Sequence, residues 1–295
     1  MKAFDLTLKQ FSELEELKIP KGVANTQGEI YYLPRDMDEV QLLFKRIITP
    51  DQEYFLNKLE TIIHLMEQEK EHAFPQLVYP NGLVTINENI EGFSMPYVEG
   101  YNLRTILKSS TVPFEEKKKY LVQIGMLLEE MRKYRLTGEY RDFYLNDIHE
   151  GNFVVDKKTG SIKYVDLDSA VIAGLTPDRS MYLKPLNKFH GLESKYPIMQ
   201  ESYYGRYVKP SDDTEIYAYM TMILNLISQT NTRILSPSEL MDYIYYLEDL
   251  GYPSELMEAF KKIYSLDSNV NPYESLEDLR DLSRGDYFVY LRTLK

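Results

Sequence analysis

Residues 144–155, YLNDIHEGNFVV, set Asp147, His149 and Asn152 at steps of two and three, immediately before an apolar run. Three polar groups so placed read either as an ordinary turn or as a base, a substrate guide and a metal ligand. Fourteen residues beyond Asn152, Asp166 closes the apolar stretch IKYVDL, and a second carboxylate, Asp168, stands two positions later. Asp168 reads as a further metal ligand or as a cap on the following segment. Upstream, Lys45 lies in LLFKRI with apolar residues about it, which is unusual for a solvated lysine but also fits an edge strand. Glu53, Glu60 and Glu67 recur every seven residues and so share one flank of a helix.

Elements able to position these groups are legible around them. EIYYL (29–33) and VQLLFKRI (40–47) read as strands separated by an acidic turn. A helix then begins with Thr49 as cap, Pro50 in the first turn and Gln52 completing a capping box; its apolar face is Phe55, Leu59, Ile62, Ile63 and Met66. QLVYP (76–80) and LVTI (83–86) read as extended segments about an Asn81-Gly82 turn, and GFSMPYV (92–98) as a further strand. From about residue 113 the texture turns helical, with a long amphipathic helix over 114–134. Two short strands, FVV (153–155) and IKYVDL (162–167), interrupt it. Residues 169–210 are irregular, and the chain beyond 214 is helical, with Ser236 opening a second capping box.

Composition narrows the function classes. The 295 residues hold 43% hydrophobic and 27% charged residues, ordinary for a soluble protein. With no cysteine, a disulfide framework and thiolate chemistry are excluded, and a reducing, cytoplasmic setting fits. A net charge of −12 argues against a nucleic-acid partner. No signal peptide is read at the N-terminus. The most apolar stretch, IYAYMTMILNLI (216–227), is too short to span a bilayer and contains Asn225, so no membrane partner is expected.

The ordered set from about residue 17 to 280 resembles the protein-kinase-like superfamily. The resemblance implies an α+β, bilobal protein-kinase-like fold. Its N-lobe (1–95) would be a small antiparallel sheet with one main helix, followed by a hinge (96–102) and a larger, mostly helical C-lobe (103–295). It implies ATP and Mg²⁺ as cofactors. Asp147 would orient the acceptor hydroxyl and take its proton, while Asn152 and Asp166, with Asp168, would hold the metal. His149 would contact the transferring phosphate or serve structurally. Lys45 would meet the α- and β-phosphates and pair with a helix glutamate, Glu60 by spacing. Gly28, seventeen residues before Lys45, matches the last glycine of the phosphate-covering loop, whose earlier positions fall at Val23 and Asn25, with Gly22 one residue away. Met95 would be the gatekeeper, and the backbone of Pro96, Tyr97 and Val98 would face adenine. A buried helix over 215–227 would begin with Glu215, or with Asp212 or Asp213, in place of the usual Asp.

Two departures qualify the match. Leu145 and Asn146 replace the usual His-Arg before the catalytic Asp, so regulation by a phosphorylated loop is not expected. Leu167-Asp168 replaces Phe-Gly after the metal Asp. Three functions fit this set. An atypical protein kinase acting on a Ser/Thr, less readily a Tyr, hydroxyl ranks first, a small-molecule kinase of the aminoglycoside or choline type second, and a non-catalytic kinase-like scaffold third.

Overall fold

Lys45 lies on an inner strand of a mixed five-stranded sheet. The computed structural model describes residues 2–18, 28–34, 41–138, 142–175, 210–232, 235, 237–262, 271–280 and 283–294. Gly22, Val23 and Asn25, all but Pro34 of the acidic turn 34–39, most of the irregular stretch (176–209) and the Ser236 cap lie outside these residues. The fold is α+β. Its strands are β1 (Lys2–Leu6), β2 (Gly28–Tyr32), β3 (Leu42–Ile47), β4 (Gly82–Ile86), β5 (Asn89–Pro96), β6 (Gly100–Asn102), β7 (Phe153–Asp156) and β8 (Ile162–Tyr164). The α-helices among the described residues are α1 (Leu8–Ser12), α2 (Gln52–Glu71), α3 (Leu103–Lys108), α4 (Phe114–Thr137), α5 (Asp212–Ser228), α6 (Pro237–Asp249), α7 (Ser254–Lys262), α8 (Tyr273–Leu276) and α9 (Tyr287–Thr293). None of them is long and apolar enough to cross a membrane.

The chain divides into two compact units: Met1–Arg104 with Gly151–Asp178, and Thr105–Glu150 with Arg179–Lys295. In the first, the strand order is β1-β4-β5-β3-β2. The sheet is not purely antiparallel, because β1 runs parallel to β4. A parallel neighbour needs a crossover, and the β2–β3–α2 stretch supplies it. Period-two alternation sends Phe44 into the core with Leu6, Leu33, Val84 and Ile86, and turns Lys45 to the other face. Across β3, Lys45 is flanked by Ile30 of β2 and Phe93 of β5. Gly92 permits that approach: a Cβ there would fall 2.1 Å from the Lys45 carbonyl oxygen.

Two local expectations are corrected. The hairpin turn lies at Asn87-Glu88, both at positive φ, while Gly82 is inside β4. Two successive left-handed residues make the tight turn whose twist suits a hairpin, and Asn tolerates that region well. The cap of α2 is Asp51, whose carboxylate accepts from the Glu53 and Tyr54 amides, and Thr49 instead accepts from the Asp51 amide. Asp51 is the residue adjoining the first helical turn, where a side-chain oxygen can reach the free N–H groups.

In the second unit, α4 packs against α5 and α8. Gly125 allows the close crossing, since a Cβ there would meet Tyr273 Cβ at 2.4 Å and the Tyr219 hydroxyl at 2.5 Å. The tyrosine-rich C-terminal region forms a ring cluster, with Tyr243 edge-on to Tyr287 at 5.3 Å and Tyr246 against Tyr290 at 4.9 Å. Such pairs bury large apolar area in specific geometry.

Candidate functional site

In the first unit, β3, α2 and the turn after β8 deliver four charged side chains to one place. The Lys45 ammonium donates to Asp166 Oδ1, and to Asp168 Oδ1 at 2.5 Å. Asp168 Oδ2 in turn accepts from Lys58 of α2 at 2.9 Å. Lys58 and Asp168 are buried, at 2% and 3% exposed, whereas the Asp166 side chain keeps 26%. Asp166 leads into the single 3-10 turn Leu167–Ser169, which swings Asp168 inward.

The electrostatics follow from burial and these partners. Burial works against the Lys45 ammonium, but Asp166 and Asp168 outweigh it and hold its pKa above the usual lysine range. Burial likewise works against the Asp168 carboxylate, and Lys45 and Lys58 overcome it, holding Asp168 well below the usual carboxylate range. For Asp166 burial is the larger effect and Asp168 adds to it; against the pull of Lys45 its pKa is pushed up to about 7. The two carboxylates are thus set apart by environment.

Asn152 stands at the other side of the β7–β8 hairpin. It is buried at the end of the 3-10 turn Glu150–Asn152, and its carbonyl oxygen accepts from the Val165 amide at 2.9 Å, the residue before Asp166. Asn102 of β6 holds the turn by donating to the Gly151 carbonyl at 2.6 Å. Gly28 pairs in register with Ile47, and a Cβ there would come within 2.6 Å of the Arg46 carbonyl and 3.5 Å of the Lys45 side chain. Glycine at this point lets β2 close on the Arg46 carbonyl, whereas the Lys45 stem lies only at ordinary contact distance.

The pairing of Lys45 with Glu60 is not found. Glu53, Glu60 and Glu67 are all exposed on α2. At 3.6 residues per turn, two residues turn a side chain by about 200°, so Lys58, not Glu60, faces the Asp168 turn. Asp168 is neither a cap nor an isolated carboxylate but the shared partner of two lysines. In the segment expected to face adenine, Met95 is buried beside Leu43. Pro96 has no N–H, and the Tyr97 N–H is committed to the Gln41 carbonyl at 2.8 Å. The Tyr97 ring stands edge-on to Tyr32 at 5.5 Å. Val98 follows the end of β5, half-buried.

In the second unit, Asp147 and His149 meet each other. His149 Nε2 lies 3.4 Å from Asp147 Oδ2, and both side chains are mostly buried. Their segment is anchored from behind. Glu215 of α5 accepts the Leu145 amide at 2.6 Å and pairs with Arg135 of α4 at 2.7 Å. Arg135 also pairs with Asp212, donates to the Phe143 carbonyl at 2.8 Å, and stacks over Tyr144 at 4.4 Å. Of the three acids proposed to lead the buried helix, Glu215 reaches the Asp147 segment through the Leu145 amide. Burial pushes its pKa up to about 7, against the downward pull of Arg135 and the Leu145 amide.

Sequence reasoning missed Lys58 and Arg135, yet both carried a signal. Lys58 falls in helical step with Ile62 and Leu65, and Arg135 with Leu128 and Met131, so each is a cation on a buried stripe. Comparison with protein-family models finds no match, and comparison with curated proteins finds none either.

Proposed function

We propose that this chain is an ATP- and Mg²⁺-dependent phosphotransferase acting on a protein hydroxyl. The bilobal kinase-like arrangement belongs to the same proposal. The observation that carries it is the bridging of Asp166 and Asp168 by Lys45, residues 121 and 123 positions away in the chain. Two carboxylate oxygens from different residues close on one cation, so the donor set suits a hard cation. Mg²⁺ is commonly held by one or two carboxylates with substrate phosphates completing its shell. That modest requirement matters here, because among the described residues no group of three or more His, Cys, Asp or Glu is gathered for a metal.

In this reading Asp166 and Asp168, with the Asn152 amide oxygen, hold the metal, which neutralises charge on the phosphates. Lys45 binds the phosphates from the sheet side, with Gly28 on the neighbouring strand. Asp147 takes the proton of the attacking hydroxyl, and His149 beside it orients that carboxylate or meets the phosphate. Arg135 and Glu215 hold the Asp147 segment. A protein acceptor is favoured over a small molecule because the described chain over residues 103–138 forms only the short α3 and the long α4. That leaves no inserted helices to wall an acceptor pocket in this stretch.

The test is thermal unfolding of wild type and Asp166→Asn, with ATP and Mg²⁺ and with ATP and EDTA. Ligand at about 100 times its dissociation constant adds roughly 2.7 kcal/mol, a shift of several degrees. The expected result is a Mg²⁺-dependent shift in wild type that Asp166→Asn abolishes. No shift in wild type overturns the reading and turns attention to protein partners.

A further inference from the structure

The four charges of the first unit form a chain of contacts alternating in sign: Lys58, Asp168, Lys45, Asp166. Asp168 spends one carboxylate oxygen on each lysine, Oδ2 on Lys58 and Oδ1 on Lys45. The torsion that rotates a carboxylate is broad and weakly restrained by itself. Contact at Oδ2 therefore fixes the plane in which Oδ1 faces Lys45. Burying an ammonium is costly unless it is paired and well bonded, and α2 places one at a position 2% exposed. A glutamate at residue 58 would bring a third carboxylate against Asp168, so Lys58 and Asp168 account for one another.

We propose that Lys58 is a positioning residue of the nucleotide site. It acts through Asp168, holding that carboxylate aimed, so that the anion facing Lys45 comes from the turn after β8 and the helix contributes a cation. The inference rests on the phosphotransferase reading. In it, Asp168 stays in place on Lys58 when Lys45 turns from the carboxylates to a phosphate. The link between α2 and the metal-binding turn is then the Lys58–Asp168 contact, with the polarity opposite to a lysine–helix-glutamate pair.

The experiment is calorimetric titration with ATP in Mg²⁺ and with ATP in EDTA, taking the ratio of the two affinities. A partly unfolded sample scales both affinities alike, so the ratio reports the site and not the fold. Removing a group that orients a metal ligand typically costs 10–100-fold in metal affinity. Lys58→Met is expected to lower the ratio by 10–100-fold, and Lys58→Arg to restore most of it. Because Lys58 acts through Asp168, Lys58→Met adds nothing further in an Asp168→Asn background. That comparison stands even if Lys58→Met alone fails to fold, since the double variant removes the ammonium and the carboxylate together. An unchanged ratio in Lys58→Met overturns the proposal, as does an equal further drop in the Asp168→Asn background. Wild type that binds no ATP under either condition overturns the phosphotransferase reading, and the proposal with it. Binding in wild type with an unaltered Lys58→Met ratio overturns the proposal alone.

Discussion

Replacing Asp168 by asparagine keeps the shape of the side chain and removes the charge that Lys58 faces. The contact is 2.9 Å long, and both groups are almost wholly buried. At an effective dielectric of about 20, a pair at that separation attracts by roughly 6 kcal/mol. The loss cannot reach that figure, because a buried lysine that loses this carboxylate has another way out. It can shed its proton, which at pH 7 costs about 4.6 kcal/mol for an ordinary lysine. Breaking a buried pair from one side typically costs 3–5 kcal/mol, in line with that ceiling. Asp168→Asn should therefore lose about 3–5 kcal/mol, a drop in Tm of roughly 10 °C at 2–4 °C per kcal/mol. Scanning calorimetry at pH 7 measures it. Lys58→Met with Asp168→Asn removes both charges and should regain most of the loss, since the buried ammonium that lost its carboxylate is gone. A loss under about 1 kcal/mol in the single variant, or a double variant less stable than the single, refutes the reasoning.

Other outcomes test the second unit and the sheet. Asp147→Asn should lower turnover by about 10²–10⁴, the range for removing a positioned base, with Mg²⁺–ATP affinity nearly unchanged; equal losses of both assign Asp147 a structural role. Glu215 has a folded pKa raised from 4.5 to about 7, so the folded state binds the extra proton and stability falls as pH rises across that window. The fall is about 3 kcal/mol in all, and Glu215→Gln should flatten it in urea titrations at pH 4.5, 5.5, 6.5 and 7.5; an unaltered slope contradicts the assignment. Gly92→Ala drives a methyl into the Lys45 carbonyl and should cost about 1–3 kcal/mol, read as a lower urea midpoint; wild-type stability would show that β5 can shift away from β3.

Local pattern determined much of this protein. LLFKRI becomes β3 with the bounds Leu42–Ile47, because apolar and β-branched residues on a pleated surface leave little choice. The long helix over 114–134 extends three residues further, to Thr137. The buried helix near 216–227 grows back to a Ser211 capping box. Lys45, Asn152, Asp166 and Asp168 were singled out by the resemblance to the protein-kinase-like superfamily, and folding brings Lys45, Asp166 and Asp168 into contact. What lies near 81–88 was less legible: Asn-Gly is a strong turn signal, yet sheet register placed the turn at Asn87-Glu88 and drew Gly82 into a strand. The parallel edge strand β1 had no local signature, since a strand's partner lies far along the chain.

Only the tertiary structure decided which charges meet. Periodicity put three glutamates on one flank of α2 but could not say which flank faces the sheet. Burial answered it by turning Lys58 inward, and with that the helix brought a cation where an anion was expected. The same holds for Asp168, whose place after Leu167 is compatible with a cap, a metal ligand or an ion pair until its neighbours are known. It holds again for Glu215, chosen over Asp212 and Asp213 as the acceptor of the Leu145 amide. The sequence settles local conformation through steric and hydrophobic preferences that act over a few residues. Electrostatic partnership acts through space over a few ångströms, and residues 110 to 123 positions apart reach that range only once the chain has folded.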